Sequence, residues 1–231
     1  MPHHPGASSN IWRFPARHVS CCHCREDLRT ASSVTLVDRK SPADGKESST
    51  ALLLVDVINA FDFEGCEGLV AAAERAAPRI LELRERARAA GVPVIYVNDN
   101  FGQWRSDFRA TVEACCRPDK PGHRVARSLV PGDGDYFVLK PRHSAFYCTA
   151  LEVLLSRLSA RRLVIVGFAT NICVFFTAND AHMRGYEVMV PCDCTAANDE
   201  ALARHALEQM ELVADAVTHA SARISFDDPP A

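Results

Sequence analysis

The sequence lacks the short motifs that mark several common enzyme classes. Neither G-x-G-x-x-G nor G-x-x-x-x-G-K-[ST] occurs in its 231 residues, so the usual signatures of nucleotide binding are absent. G-x-S-x-G is missing as well, which removes the serine-hydrolase elbow in its usual form. Any catalytic group must therefore be found from its position in the fold.

The sequence also has little net charge and no long apolar run. Its formal charge is −3, with both signs mixed along the chain, which gives no electrostatic reason to expect a nucleic-acid or membrane partner. No apolar stretch approaches the roughly 20 residues that cross a bilayer. We therefore expect a soluble protein whose partner is a small-molecule substrate.

The ten cysteines show no repeating spacing. The chain is long and carries no secretory signal, so reduced thiols in a cytoplasmic compartment fit better than disulfides. The one dense group is Cys21, Cys22 and Cys24. A metal site there would need a second ligand pair, from 115–116 or 192–194.

Residues 1–49 differ from the rest of the chain. They are rich in Ser, His, Pro and Arg, show no strong hydrophobic period, and carry no acid before Glu26. This composition predicts a poorly ordered N-terminal extension, followed by one domain over 50–231. An N-terminus that contains Arg but no acid also resembles an organelle transit peptide. The alternatives are an extension without a targeting role, or a translation start assigned too far upstream.

From Thr50 onward, apolar runs alternate with helical patterns, which predicts a doubly wound α/β fold with a mostly parallel sheet and helices on both faces. The predicted strands are 51–56, 92–99, 136–140, 163–167 and 186–191. The predicted helices are 69–91, which Pro78 should kink or divide, and 149–159, 172–184 and 199–212, with Gly185 ending the third.

Polar residues follow several of these strands. Asp56 ends the first, Asp99 and Asn100 follow the second, Lys140 ends the third, and Cys173 follows the fourth. Ligands of such sheets bind at the carboxyl ends of the strands, so these side chains should converge. Each one alone could be a cap or a solvated strand end, but an acid, a base and a thiol together predict an active site.

The residue types indicate nucleophilic chemistry. A helix N-terminus and a neighbouring ammonium, here Lys140, both favour the thiolate of Cys173. Asp56 could accept the thiol proton and return it to a leaving amine. Backbone N–H groups in the turn 168–173 could hold an oxyanion. These roles describe attack on an amide-like carbonyl through a thioester.

Three segments, LLLVDVINAF, YFVLKPRHSAF and VGFATNICVFFTANDAHMRGYEV, resemble the isochorismatase-like cysteine hydrolases over residues 50–215. The resemblance implies a three-layer αβα fold and a catalytic triad of Asp56, Lys140 and Cys173. It also implies a cis peptide between Phe168 and Ala169, which would aim the Ala169 and Cys173 amides into an oxyanion hole. Family members usually form homodimers or homotetramers, which we expect here.

One departure from the family concerns metal. Its nicotinamidases typically bind a metal through Asp-x-His after the second strand, but here Asp99 is followed by Phe101 in the histidine position. A phenyl ring cannot ligate a metal, so we predict no catalytic metal and no cofactor. Isochorismatase itself does not use a cysteine nucleophile, so Cys173 argues against that chemistry.

Loops at the same sheet edge supply candidate pocket residues, namely Phe61, Asn100, Phe101, Trp104, Arg105, His143 and Tyr147. Aromatic residues in such loops also serve as core packing. Arg105 could bind a substrate carboxylate or pair with a nearby acid. We expect a metal-independent hydrolase of a small linear amide, ureide or carbamoyl compound. The alternatives are nicotinamidase-like or isochorismatase-like activity, or a non-catalytic oligomeric thiol or redox module.

Overall fold

The computed structural model describes residues 48–101 and 107–226. The strands are β1 (Thr50–Val55), β2 (Val94–Asp99), β3 (Tyr136–Lys140), β4 (Arg162–Phe168), β5 (Glu187–Met189) and β6 (Thr195–Ala196). The helices are α1 (Glu67–Ala89), α2 (Phe108–Cys115), α3 (His123–Ser128), α4 (Leu151–Arg157), α5 (Phe175–Met183) and α6 (Glu200–Ala214). A π-helical turn, Thr170–Val174, leads into α5.

The strands form one sheet in the order β3-β2-β1-β4-β5, with β6 also pairing with β4. All of these pairs are parallel. β1 lies inside the sheet, β2 and β3 follow on one side of it, and β4 and β5 lie on its other side. The predicted α/β class with a mostly parallel sheet is confirmed.

The central strand β1 is buried on both faces. Leu52 and Leu54 pack into one apolar cluster, which includes residues of α1, α2 and α3. The alternate residues, Leu53 and Val55 among them, pack into a second cluster with residues of α4, α5 and α6. Because successive side chains of a strand point to opposite faces, helices cover both sides of the sheet.

Two details differ from the sequence-based expectations. The alternative that a second helix begins at Pro78 is wrong, because α1 continues through this residue. Pro78 is exposed, so water can solvate the carbonyl that loses its helical N–H partner. The short helices α2 and α3 were not predicted, since six to eight residues give too little periodicity to recognise. Gly185 does follow the end of α5, with φ +81°.

The predicted extension over 1–49, including Cys21, Cys22 and Cys24, lies outside the described residues except for Ser48 and Ser49, so the division at residue 50 stays a prediction. In the described ranges, seven cysteines are free thiols. No helix in this part of the chain is long and apolar enough to cross a membrane.

Candidate active site

Asp56 is the first residue after β1 and is 5% exposed. Its φ is +51°, so the backbone turns sharply away from the sheet there. Its own N–H donates to the Val97 carbonyl at 2.9 Å, and its Oδ1 accepts from the Asp99 N–H at 2.7 Å. The end of β2 therefore fixes the carboxylate and leaves Oδ2 for another partner.

That partner is Lys140, the last residue of β3. Its side chain is fully buried and reaches across the end of β2, because β2 lies between β3 and β1 in the sheet. Nζ lies 2.8 Å from Asp56 Oδ2 and 3.6 Å from Asp99 Oδ2. Its third neighbour is Cys173 Sγ at 3.5 Å. The structure thus brings the three predicted residues together around one ammonium group.

Cys173 lies in the π-helical turn that follows β4. The approach to this turn depends on Gly167, since a Cβ there would lie 1.9 Å from the Val55 carbonyl oxygen, and its φ is +119°. The peptide bond between Phe168 and Ala169 is cis. The Ala169 carbonyl accepts from the N–H groups of Ile172 and Val174, at 3.1 and 3.2 Å, which closes the turn.

The pKa values of all three groups lie above their ordinary values, but the causes differ. Burial raises the pKa of the Asp56 carboxyl, although the Lys140 ammonium opposes this. Burial lowers the pKa of Lys140, but the charges of Asp56 and Cys173 outweigh it and leave the pKa above its ordinary value. Burial and the Asp56 carboxylate raise the pKa of the Cys173 thiol to about 12, with Lys140 acting in the opposite direction.

The expectation of a thiolate at Cys173 therefore needs correction. The sequence places an ammonium and a helix start near the sulfur, but it does not reveal that the thiol is largely buried beside a carboxylate. In the structure, burial and Asp56 prevail over Lys140. The raised pKa favours the protonated thiol, next to a carboxyl group whose own raised pKa suits it to take that proton when the sulfur attacks.

His143, a predicted pocket residue, contacts the thiol. Its Nδ1 lies 4.0 Å from Cys173 Sγ, and its side chain is exposed. Its ring packs against Phe176, with the centroids 5.6 Å apart. Sequence reasoning missed Phe176, although its position three residues after Cys173 on a helical segment places both on the same face.

The other predicted pocket residues have different surroundings. Phe61 is fully buried and packs against Phe168 at 5.9 Å, so its assignment to an open pocket is corrected to a core role. Asn100 and Phe101 line a cavity of about 450 Å³ that also contacts the Asp62–Lys120 ion pair. Tyr147 is exposed, and among the described residues it has no hydrogen bond to the triad. Trp104 and Arg105 lie outside the described residues.

Asp99 is the predicted match to the metal-binding acid of nicotinamidases. Its carboxylate accepts from the Phe101 N–H at 2.6 Å and lies beside Lys140. Within 48–101 and 107–226, no three His, Cys, Asp or Glu side chains group in a way that could hold a metal ion. The absence of a catalytic metal stays a prediction, which depends on the phenyl ring of Phe101.

Comparison with known proteins identifies the family of this chain. The family model of the Isochorismatase domain matches residues 50–221. This chain belongs to the isochorismatase family. The match contains every strand and helix described above, together with Asp56, Lys140 and Cys173, and the resemblance found in the sequence is confirmed.

Relatives of this isochorismatase-family hydrolase include two curated proteins. The uncharacterized isochorismatase family protein YaaI of Bacillus subtilis is 44% identical over 167 residues, which cover 72% of this chain and 91% of YaaI. Ureidoacrylate amidohydrolase RutB of Rhizobium rhizogenes is 33% identical over 189 residues, covering 69% of this chain and 76% of RutB.

Among solved structures, N-carbamoylsarcosine amidase from Thermoplasma acidophilum matches with a TM-score of 0.61 and 28% identity, over 77% of this chain and 99% of that one. The predicted class of enzyme, a hydrolase whose relatives are amidohydrolases, is confirmed by these similarities.

Proposed function

We propose that this protein hydrolyses a carbon–nitrogen bond of a small linear amide, ureide or carbamoyl compound, with Cys173 as the nucleophile. The observation that carries the proposal is the position of Lys140 Nζ, which lies 2.8 Å from the Asp56 carboxylate and 3.5 Å from the Cys173 sulfur. An acid–base group and a nucleophile are thereby held in one fixed arrangement, as covalent catalysis requires.

The reaction begins when Asp56 takes the proton of the thiol and Sγ attacks the substrate carbonyl carbon. The backbone N–H groups of Ala169 and Cys173 hold the oxyanion of the tetrahedral intermediate. When the carbon–nitrogen bond breaks, Asp56 gives its proton to the departing nitrogen, which leaves as ammonia or an amine. The acyl group then remains on sulfur as a thioester.

Water completes the cycle. It adds to the thioester carbonyl while Asp56 takes a proton from it, and the carbon–sulfur bond breaks to release a carboxylic or carbamic acid. The proton returns to sulfur, so the thiol and the carboxylate are restored. Throughout, the Lys140 ammonium lies between the two groups and offsets the negative charge that passes from one to the other.

The names of two relatives support the choice of substrate class. One is a ureidoacrylate amidohydrolase and the other an N-carbamoylsarcosine amidase, so both act on compounds with a carbonyl bonded to nitrogen. A homodimer or homotetramer, a cytoplasmic location and independence of metal belong to the same proposal. Light scattering in solution tests the first of these.

The test of the function is ammonia release from a panel of small amides, ureides and carbamoyl compounds, measured with chelator present. We expect turnover of at least one compound and, after rapid acid quenching, an acyl mass adduct on the peptide that contains Cys173. Ammonia release by the Cys173→Ala variant at the wild-type rate would contradict the mechanism. Loss of wild-type activity in the presence of chelator would contradict it as well.

A further inference from the structure

The thiol of Cys173 has two unlike surroundings. On one side lie Asp56 and Lys140, which are 5% and 0% exposed. On the other side lies His143, an exposed residue whose Nδ1 is 4.0 Å from Sγ. Because Asp56 and Lys140 occupy the buried side of the thiol, His143 borders the side from which a substrate can reach Sγ.

His143 and Phe176 form a pair of rings at this opening, which we call the aromatic pair. The ring centroids are 5.6 Å apart and the ring planes are inclined by 37°. Among the described residues, the thiol is the one polar side-chain contact of His143. The imidazole is thus held by packing against Phe176 while its remaining surface faces solvent.

Phe176 is held in place from behind and is still open to water. Its ring meets Phe175 edge-on, with centroids 6.1 Å apart and planes at 88°, and Phe175 packs against the second core cluster. Nevertheless Phe176 is 50% exposed. A ligand that covers this exposed ring removes apolar surface from water, and this burial stabilises the complex.

We propose that the aromatic pair determines specificity for the acyl group and selects acyl groups that are planar next to the scissile carbonyl. A planar conjugated group can lie flat on a ring and maximise its contact with it. A saturated ring of similar size has hydrogens above and below its mean plane and meets the same surface only at their tips. This inference rests on the proposed function and adds the substrate class to it.

The test compares two acyl groups of similar size, one planar and one saturated. Benzamide and cyclohexanecarboxamide serve as substrates, and the two corresponding aldehydes serve as reversible probes, since a thiol adds to an aldehyde without turnover. The measured quantity is the ratio of kcat/KM for the planar over the saturated amide, with the ratio of aldehyde affinities as a second readout. Wild-type protein should favour the planar member in both.

Phe176→Leu keeps the apolar character and removes the flat ring, so we expect both ratios to fall by about threefold to tenfold, the usual size of a ring-on-ring contact. His143→Asn should lower them in the same direction, and His143→Phe, which restores a flat ring, should bring them back. Phe137→Leu is the matched control, because Phe137 is also exposed but lies near the start of β3, away from the thiol. Its ratios should equal those of wild type.

Unchanged ratios in Phe176→Leu and His143→Asn, with catalysis retained, would overturn the inference and leave the proposed function standing. A change in oligomeric mass with unchanged ratios would also overturn it and assign Phe176 to a contact between copies. Failure of wild type to hydrolyse any compound of the amide, ureide and carbamoyl panel and to bind either aldehyde would refute the proposed function itself.

Discussion

Two buried cations of this molecule have opposite uses. Arg84, on α1, donates to the Tyr96 hydroxyl at 2.8 Å and to the Val130 carbonyl at 3.1 Å, and Tyr96 in turn donates to the Leu129 carbonyl at 2.8 Å. Lys140, at the carboxyl edge of the sheet, lies between Asp56 and the thiol of Cys173. Both cations are almost completely enclosed.

The difference lies in what the cation faces. The partners of Arg84 in the described ranges are oxygen acceptors, including the exposed Glu85 carboxylate at 2.9 Å. Burial raises the pKa of Tyr96 to about 12, so the hydroxyl keeps its proton. One neighbour of Lys140 is a sulfur that is only partly buried and has an open side. Burial of a charge therefore does not identify a catalytic site by itself. A reactive group beside the charge and an opening to solvent do.

Among the substitutions that test the difference between Lys140 and Arg84, removal of the nucleophile beside Lys140 should have the largest effect. We expect Cys173→Ala to lower kcat/KM by about 10⁴-fold or more, because the thioester cannot form. Steady-state ammonia release measures it. Cys148→Ala, which removes an exposed thiol elsewhere, is the matched control and should retain full activity. Comparable losses in both variants would show that the effect is not specific to the site.

Loss of the proton acceptor should come next. Asp56→Asn keeps the size of the side chain but removes its capacity to take the thiol proton, and we expect a loss of about 10²- to 10⁴-fold in kcat. Asp119→Asn changes an exposed, ion-paired acid and should leave kcat unchanged. Wild-type turnover in Asp56→Asn would place the general base elsewhere.

Substitution of Arg84 should lower the free energy of unfolding and leave the activity nearly unchanged. Arg84→Met keeps the length of the side chain and deletes its donors, which leaves the buried Tyr96 hydroxyl with one partner fewer. We expect a loss of about 2–3 kcal/mol in the free energy of unfolding, with kcat/KM nearly unchanged below the transition. Urea unfolding measures it, with Arg79→Met, on the exposed face of α1, as the control. A large loss of kcat in folded Arg84→Met protein would break the comparison.

The smallest expected effect concerns the rate of thiol alkylation. Since the pKa of Cys173 is raised to about 12, its thiolate is scarce at pH 7 and its labelling by iodoacetamide should accelerate as the pH rises toward that value. The Asp56 carboxylate contributes to the rise, so Asp56→Asn lowers the pKa, increases the thiolate fraction and should speed labelling severalfold at pH 7. Mass spectrometry of the Cys173 peptide follows the rate, and slower labelling in the variant would reverse the assigned sign.

Much of the site could be predicted because parallel strands end at one edge. Asp56, Lys140 and Cys173 each follow or end an apolar run, so topology alone brings them near each other. The thiol pKa could not be predicted in this way, because it depends on the balance between burial and two opposite charges in three dimensions. The burial of Phe61 was equally hidden, since an aromatic residue in a loop is compatible with a core or a pocket position.

The reach of Lys140 across β2 also links chemistry to the completion of the fold. β3 is the outermost strand on its side of the described sheet, and it contributes the cation that meets a carboxylate and a thiol positioned by β1 and β4. A chain whose sheet lacks this last strand keeps the nucleophile without the ammonium that sets its environment. Lys140 reaches Asp56 and Cys173 only when β3 is paired with β2. We therefore expect activity to return during refolding when β3 joins the sheet, and not when the central strands form.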